Sequence, residues 1–210
     1  WDPRLTGSNK YRLWPAFPFA SLGRAYWLRV LADTTVSLTG LQADEGTTYT
    51  LPLAADWNAI GSPRLGNVPL EDLKVQVGDG ALVTWQEAVA GHIVQNSLYG
   101  YSQVAGYELK DTLEPWQGYW VRCLSSTGAF LIFPAATSTA SLDRQRQAVS
   151  TGEAAVLRTA GLSWRLPLVV EAGPLRSAAA YVGAAREAAV GPDPHDLAAP
   201  PSFGQYVQVR

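Results

Sequence analysis

The residues of this chain able to do chemistry are two histidines, one cysteine and a few neighbouring carboxylates. Their spacing argues against each use. His92 and His195 sit beside glycine or proline in loop-like contexts, and no Gly-x-Ser-x-Gly turn supplies the strained nucleophile that a Ser-His-Asp relay needs. With Cys123 as the sole thiol and the histidines far apart, no ligand pair has zinc spacing. Asp193 and Asp196, in a Gly-Pro-Asp-Pro loop, are the best calcium candidates, aided by backbone carbonyls. Two carboxylates alone make a poor site, and turn formation explains them more simply. Asp44-Glu45 and Glu71-Asp72 are adjacent pairs on expected loops, where solvation rather than acid–base work accounts for them. Gly40 and Gly78-Asp-Gly80 are turn glycines without the strand-to-helix setting of a phosphate loop, and no Asn-x-Ser/Thr sequon occurs. The sequence therefore assigns no catalytic, cofactor-binding or metal residue, and reads as that of a non-enzyme.

Composition points the same way. Charged residues are 16% of the chain, against about 25% in ordinary soluble proteins. Aromatic and glycine content is high (8 Trp, 9 Tyr, 19 Gly, 14 Pro), which suits short strands joined by tight turns. A net charge of −2 and the absence of basic runs give no reason to expect nucleic acid. The longest apolar run, around Leu166 to Val170, is strand-sized, far from the roughly 20 residues that span a bilayer, so no membrane insertion is expected. Cys123, in a strand pattern, is expected to be a buried inert thiol; one cysteine allows no intrachain disulfide. The chain contains no methionine, which is expected of a processed or excerpted polypeptide.

The elements that would carry any function are set out by an internal repeat. Gly23-Arg-Ala-Tyr-Trp-Leu-Arg29 recurs as Trp116-Gln-Gly-Tyr-Trp-Val-Arg122, each preceded by a tyrosine (Tyr11, Tyr107) and followed by a turn and a short apolar strand (Thr35–Leu38, Ala129–Phe133). The second copy has a long lead-in. Tyr49–Leu53 reads as a strand, Leu73–Val77 alternates at period two, Val77–Ala81 is a hairpin turn, Trp85–Ala90 reads as one helical turn, and Val94–Tyr101 as a strand. In the Tyr-Trp strand, Tyr119, Val121 and Cys123 share one face and Trp120, Arg122 and Leu124 the other, so it is expected to be central and covered on both sides. Trp27 and Trp120 are expected in the core, an exposed aromatic platform being the competing reading. The first copy has only 10 residues before Tyr11, so the chain is expected to enter its first unit partway through.

Two motifs carry a resemblance. Asp56-Trp-Asn-Ala-Ile-Gly-Ser-Pro63 and Pro115-Trp-Gln-Gly-Tyr-Trp-Val-Arg122 resemble the Gly-Trp-Asn-Leu-Ile-Gly-Asn-Pro and Pro-Trp-x-Gly-Tyr-Trp-Val motifs of modules in bacterial secreted and cell-surface proteins. Asp56 stands where the motif has its first glycine, and Ser62 where it has asparagine. The resemblance spans residues 11 to 134 and implies β-sandwich spacers or adhesion units without catalytic activity. Trp164–Val170, Asp193–Asp196, Ala199–Pro201 and Tyr206–Val209 resemble the opening of a further exported module, whose relatives place a turn where this chain has Ser177–Tyr181.

The expected fold is all-β, with antiparallel β-sandwich modules, an internal repeat and incomplete ends. A partial unit covers 1–40, a sandwich 41–134, an Ala/Ser/Thr-rich linker 135–160 and a partial second β domain 161–210. Sandwiches lacking strands expose unpaired edges. The expected function is thus a subunit of an extracellular or cell-surface filament or layer, its partners copies of itself or flanking domains that complement its strands. A carbohydrate-binding or adhesion module of a larger secreted protein is the alternative.

Overall fold

The computed structural model describes residues 20–27, 32, 35, 43–102, 106–135, 162–173, 175–191, 193 and 195–201. The described strands are β1 (Tyr49–Leu53), β2 (Asp56–Gly61), β3 (Val68–Pro69), β4 (Lys74–Gln76), β5 (Val83–Thr84), β6 (Leu98–Ser102), β7 (Gly106–Lys110), β8 (Thr112–Leu113), β9 (Gly118–Cys123), β10 (Ala129–Phe133), β11 (Leu162–Ala172) and β12 (Leu175–Ala185). One helix, α1 (Trp85–Ala90), lies between β5 and β6. Every pairing among these strands is antiparallel. The fold is all-β, as the strand-and-turn composition requires. Two four-stranded sheets, ordered β1-β10-β4-β5 and β2-β9-β6-β7, form the sandwich; β3-β8 is a small ladder and β11-β12 a separate hairpin.

Period-two alternation builds the core. Leu73 and Val75 point inward from the start of β4, Leu51 and Leu53 from β1, and Leu131 and Phe133 from β10. They meet Ile60, Leu98, Tyr119, Val121 and Cys123 of the facing sheet, while Trp85 and Ala88 of α1 close one end. The Tyr-Trp strand β9 is central, between β2 and β6. Its other face puts Trp120 with Trp57 and Tyr99 in a second buried cluster, so β9 is covered on both sides. Cys123 is buried, and burial raises its thiol pKa, which makes it a poor nucleophile.

The turns follow from local chemistry. Gly78 supplies a positive φ of 52° in the β4–β5 connection, and Gly80 N–H donates to Val77 O at 2.9 Å. The helical turn at Trp85–Ala90 starts on a capping box: Thr84 Oγ1 accepts from Glu87 N–H at 3.2 Å, and the Glu87 carboxylate accepts from Thr84 N–H at 2.7 Å. These bonds hold the Glu87 carboxyl below its usual range. Asp56 has φ 69°, a left-handed conformation that glycine adopts freely and aspartate tolerates. The neighbouring Asn58 is buried and binds Ala54 N–H, Ala54 O and Asp56 O, which fixes the entry to β2.

Two sequence expectations change. Val94–Tyr101 is not one strand: Val94 makes an isolated bridge to Cys123, and β6 begins at Leu98. Between them Ser97 N–H donates to Gln95 O at 2.7 Å and Gln95 Nε2 to Ser97 Oγ at 2.8 Å, closing a tight polar turn. Ser177–Tyr181 is not a turn either; it lies within β12, and the chain reverses at Gly173, whose φ is 60°. Residues 1–19, 36–42, 136–161 and 202–210 fall outside the described residues. Most of the expected Thr35–Leu38 strand, nearly all of the expected linker at 135–160 and the expected Tyr206–Val209 strand are among them.

A buried arginine fastens the sandwich where the chain enters and leaves it. Arg64 is 4% exposed and its guanidinium donates to the carbonyls of Asp44 and Thr47 before β1, and to those of Phe133 (3.4 Å) and Pro134 (3.2 Å) at the end of β10. Glu45 lies 3.8 Å from its Nε and balances the charge.

Candidate functional site

A strand with one free edge offers backbone donors and acceptors to any extended segment. One edge of β2 pairs with β9 from Asp56↔Cys123 to Gly61↔Gly118. The other edge is occupied by the first copy of the repeat. Gly61 N–H donates to Gly23 O at 3.0 Å, Ala25 N–H donates to Ala59 O at 3.3 Å, and Arg24 bridges Ile60 in antiparallel fashion. The two copies of the repeat therefore flank the same strand. The second copy is the full strand β9, whereas the described part of the first forms a short ladder only.

That short ladder also reaches the other sheet. The Arg24 guanidinium donates to Pro52 O, and Tyr49 OH donates to Leu22 O at 2.7 Å, both on edge strand β1. Residues 22–25 thus lie across the side of the sandwich where β1 and β2 are both edges. Glycine is required at 23: its φ is 75°, and a Cβ there would lie 3.1 Å from the Tyr49 ring and 3.2 Å from Leu51 Cδ1. Partial burial raises the Tyr49 pKa, with the positive charge of Arg24 opposing that rise.

Beyond Ala25 the same segment carries Tyr26 and Trp27 over a shallow groove whose far wall is Tyr101 and whose floor includes Gly118 and Trp120. Trp27 is 46% exposed and Trp120 3% exposed. The expectation of a core position holds for Trp120 and fails for Trp27, because Trp27 follows a segment laid on the sheet edge rather than one inserted between sheets. The exposed rings do not form a flat platform. Trp27 meets Tyr101 edge-on at 4.9 Å and 72°, and Tyr101 meets Tyr107 at 5.3 Å and 70°.

Of the polar residues singled out by the sequence, Asp193, His195 and Asp196 share one loop, and the others lie apart from them. His92, with φ 53°, is exposed just after α1. Glu71 and Asp72 are exposed in a 3-10 turn at Leu70–Asp72. Asp44 Oδ1 accepts from Gly46 N–H at 2.9 Å, and Glu45 faces Arg64. Asp193 Oδ2 accepts from Ala189 N–H (2.6 Å), its Oδ1 from His195 N–H (2.7 Å), and Asp196 Oδ2 from Asp193 N–H (2.8 Å). These bonds hold the Asp193 carboxyl below its usual range and commit the carboxylates offered for calcium to their own loop. Among the described residues no group of three His, Cys, Asp or Glu side chains could hold a metal ion. No described helix is long and apolar enough to cross a membrane.

Sequence reasoning overlooked Arg64, Asn58, Gln95 and Tyr101. The alternation of Tyr99-Gly-Tyr101 with Leu98 was a usable signal for Tyr101; a lone arginine after Ser-Pro and a lone glutamine carry none. No family model, no curated protein and no solved structure matches this chain.

Proposed function

We propose that this chain is a non-enzymatic structural module of an extracellular or cell-surface filament or layer, in which neighbouring polypeptide completes open sheet edges by strand addition. The observation that carries this reading is the ladder of Gly23–Ala25 on the outer edge of β2, made by a segment that belongs to none of the strands of the two sheets. The same mode, repeated between copies, does not close on itself and builds extended assemblies. The extracellular setting rests on the likeness of the two aromatic motifs to those of exported bacterial modules.

Light scattering and electron microscopy over a concentration series test it. Extended particles that grow with concentration are expected. Gly61→Pro, which removes the donor to Gly23 O and leaves the β9 side of the strand intact, is expected to reduce their formation at least tenfold. A chain that stays monomeric at every concentration sinks the reading.

The half-exposed Tyr26, Trp27 and Tyr101 favour a second reading, carbohydrate binding or adhesion. Retention on an insoluble polysaccharide, lost in Trp27→Ala without change in the unfolding midpoint, is its expected signature. Absence of retention on a panel of such polymers removes it.

A further inference from the structure

The outer face of the β2-β9-β6-β7 sheet carries a segment of its own chain around Ala198 and Pro201. Gln95 is 6% exposed, and its side-chain amide treats one distant residue as a neighbouring strand would: Nε2 donates to Ala198 O at 3.0 Å and Oε1 accepts from Ala198 N–H at 3.1 Å. The amide is held in this orientation by Ser97 Oγ, 2.8 Å from Nε2, and by the Arg122 guanidinium, 3.4 Å from Oε1. Arg122 is itself fixed by Asp56 at 3.0 Å. Three residues on, Tyr107 OH donates to Pro201 O at 2.6 Å while accepting from Trp120 Nε1 at 3.2 Å. Ala198 packs on the Trp57–Tyr99–Trp120 cluster, and Pro200 is buried.

The match is chemical as well as geometric. Pro200 and Pro201 have no N–H, so a proline pair presents acceptors alone, and the site offers it a donor, Tyr107 OH. Ala198 has both a donor and an acceptor, and the site meets both with one amide. A small side chain at 198 lets the backbone approach the aromatic cluster. An aromatic-lined face that reads the carbonyls of an extended, proline-containing segment is a recurrent recognition mode.

We propose that this face is a peptide-recognition site whose ligand is the extended segment Leu197–Pro201, held here by its own chain and replaceable by the same segment of a second copy. The 26 residues numbered 136–161 span at most about 90 Å, so chain length allows the β11-β12 hairpin and the segment to be delivered together to either molecule. This goes beyond edge completion: the site reads side-chain size and proline content rather than an unpaired ladder.

The test uses full-length chains. Ala198→Pro removes the N–H that Gln95 Oε1 accepts from and so weakens the chain's own segment while leaving the site intact. A labelled, end-blocked Asp196–Pro201 peptide is expected to bind this variant at least tenfold more tightly than the wild type, whose site is filled. Adding Tyr107→Phe, which keeps the ring and removes the donor, is expected to weaken the peptide at least fivefold. Gln95→Leu is expected to abolish binding, and an unchanged circular dichroism spectrum guards against unfolding. Peptide that does not bind the Ala198→Pro chain, or binds with no dependence on Tyr107 and Gln95, overturns the site. Delivery between copies is read by mixing Ala198→Pro chain with Gln95→Leu chain, one with an intact site and the other with an intact segment. A paired species absent from either variant alone is expected, and its absence overturns exchange between copies. Peptide binding by a chain that forms no filaments leaves this site standing and removes the assembly reading.

Discussion

The sandwich over residues 49–133 and the hairpin β11-β12 are both antiparallel, yet they obtain order in different ways. The sandwich is made of strands of two to six residues, but their inward side chains meet a second sheet, and residues such as Ile60, Leu73, Leu98 and Val121 are fully enclosed. The hairpin strands are 11 residues each and, among the described residues, pair only with one another. Trp164 (52%), Leu166 (59%) and Val182 (51%) remain exposed on them. Backbone pairing sets geometry in both regions, while removal of apolar area from water supplies stability in one. A two-stranded ribbon is marginal in water, and strand length does not substitute for a covering layer. Outside the hairpin β12 lies against β7, and within it Arg165 sits over the Tyr181 ring at 5.9 Å.

Replacing the same residue type in both regions breaks the comparison most sharply. Trp85→Ala, in the closed end of the core, is expected to cost about 4 kcal/mol, and Trp164→Ala, half-exposed on β11, under about 1 kcal/mol. Urea denaturation of the two variants measures this, and equal costs would show that the hairpin carries a core of its own. A glycine pair gives the next largest contrast. Gly128 has φ 81° and a Cβ there would lie 2.5 Å from Leu53 O, so Gly128→Ala is expected to cost about 3 kcal/mol. Gly173 has φ 60° with open space around it, so Gly173→Ala is expected to cost about 1 kcal/mol, with faster amide exchange confined to the hairpin.

The smallest effect is a pH dependence specific to the sandwich. Burial pushes the Tyr119 hydroxyl up to about 12, and its oxygen accepts from Glu114 N–H at 2.7 Å. The unfolded value is about 10. The folded state then holds the proton more tightly, so this contribution is complete below about pH 10 and is lost as pH rises towards 12. Tyr119→Phe is expected to lose about 1 kcal/mol at neutral pH and to flatten the stability slope between about pH 10 and 11.5. An unchanged alkaline slope in the variant would assign that transition to other tyrosines.

The fold class was legible because burial writes itself into short-range patterns. Leu73-Lys-Val-Gln alternates because every second residue faces the core, and Tyr119-Trp-Val-Arg-Cys carries apolar groups on both faces because β9 has clusters on both. Turns announced themselves through Gly78 and Gly80. The candidate sites were less legible, since they depend on contacts between residues far apart in the chain. Gln95 meets Ala198 across 103 positions and Arg64 meets Phe133 across 69, and no local pattern encodes either meeting. Trp27 and Trp120 occupy equivalent places in the repeat, but one lies on a sheet edge and the other inside a sheet. Repeat identity states kinship, and position in the sheet decides exposure.

Arg64 has a mechanical consequence. The strands by which the chain enters and leaves the sandwich, β1 and β10, are paired antiparallel, with Tyr49 opposite Phe133 at the end where both meet the flanking polypeptide. Tension between those flanks would not shear the ladder; it would peel it open one pair at a time, starting at Tyr49 and Phe133. The guanidinium is attached to carbonyls on both sides of that fork, ahead of the first pair. It acts as a shackle at the mouth of a zipper: tension applied between Asp44 and Pro134 loads one buried side chain before the Tyr49–Phe133 pair.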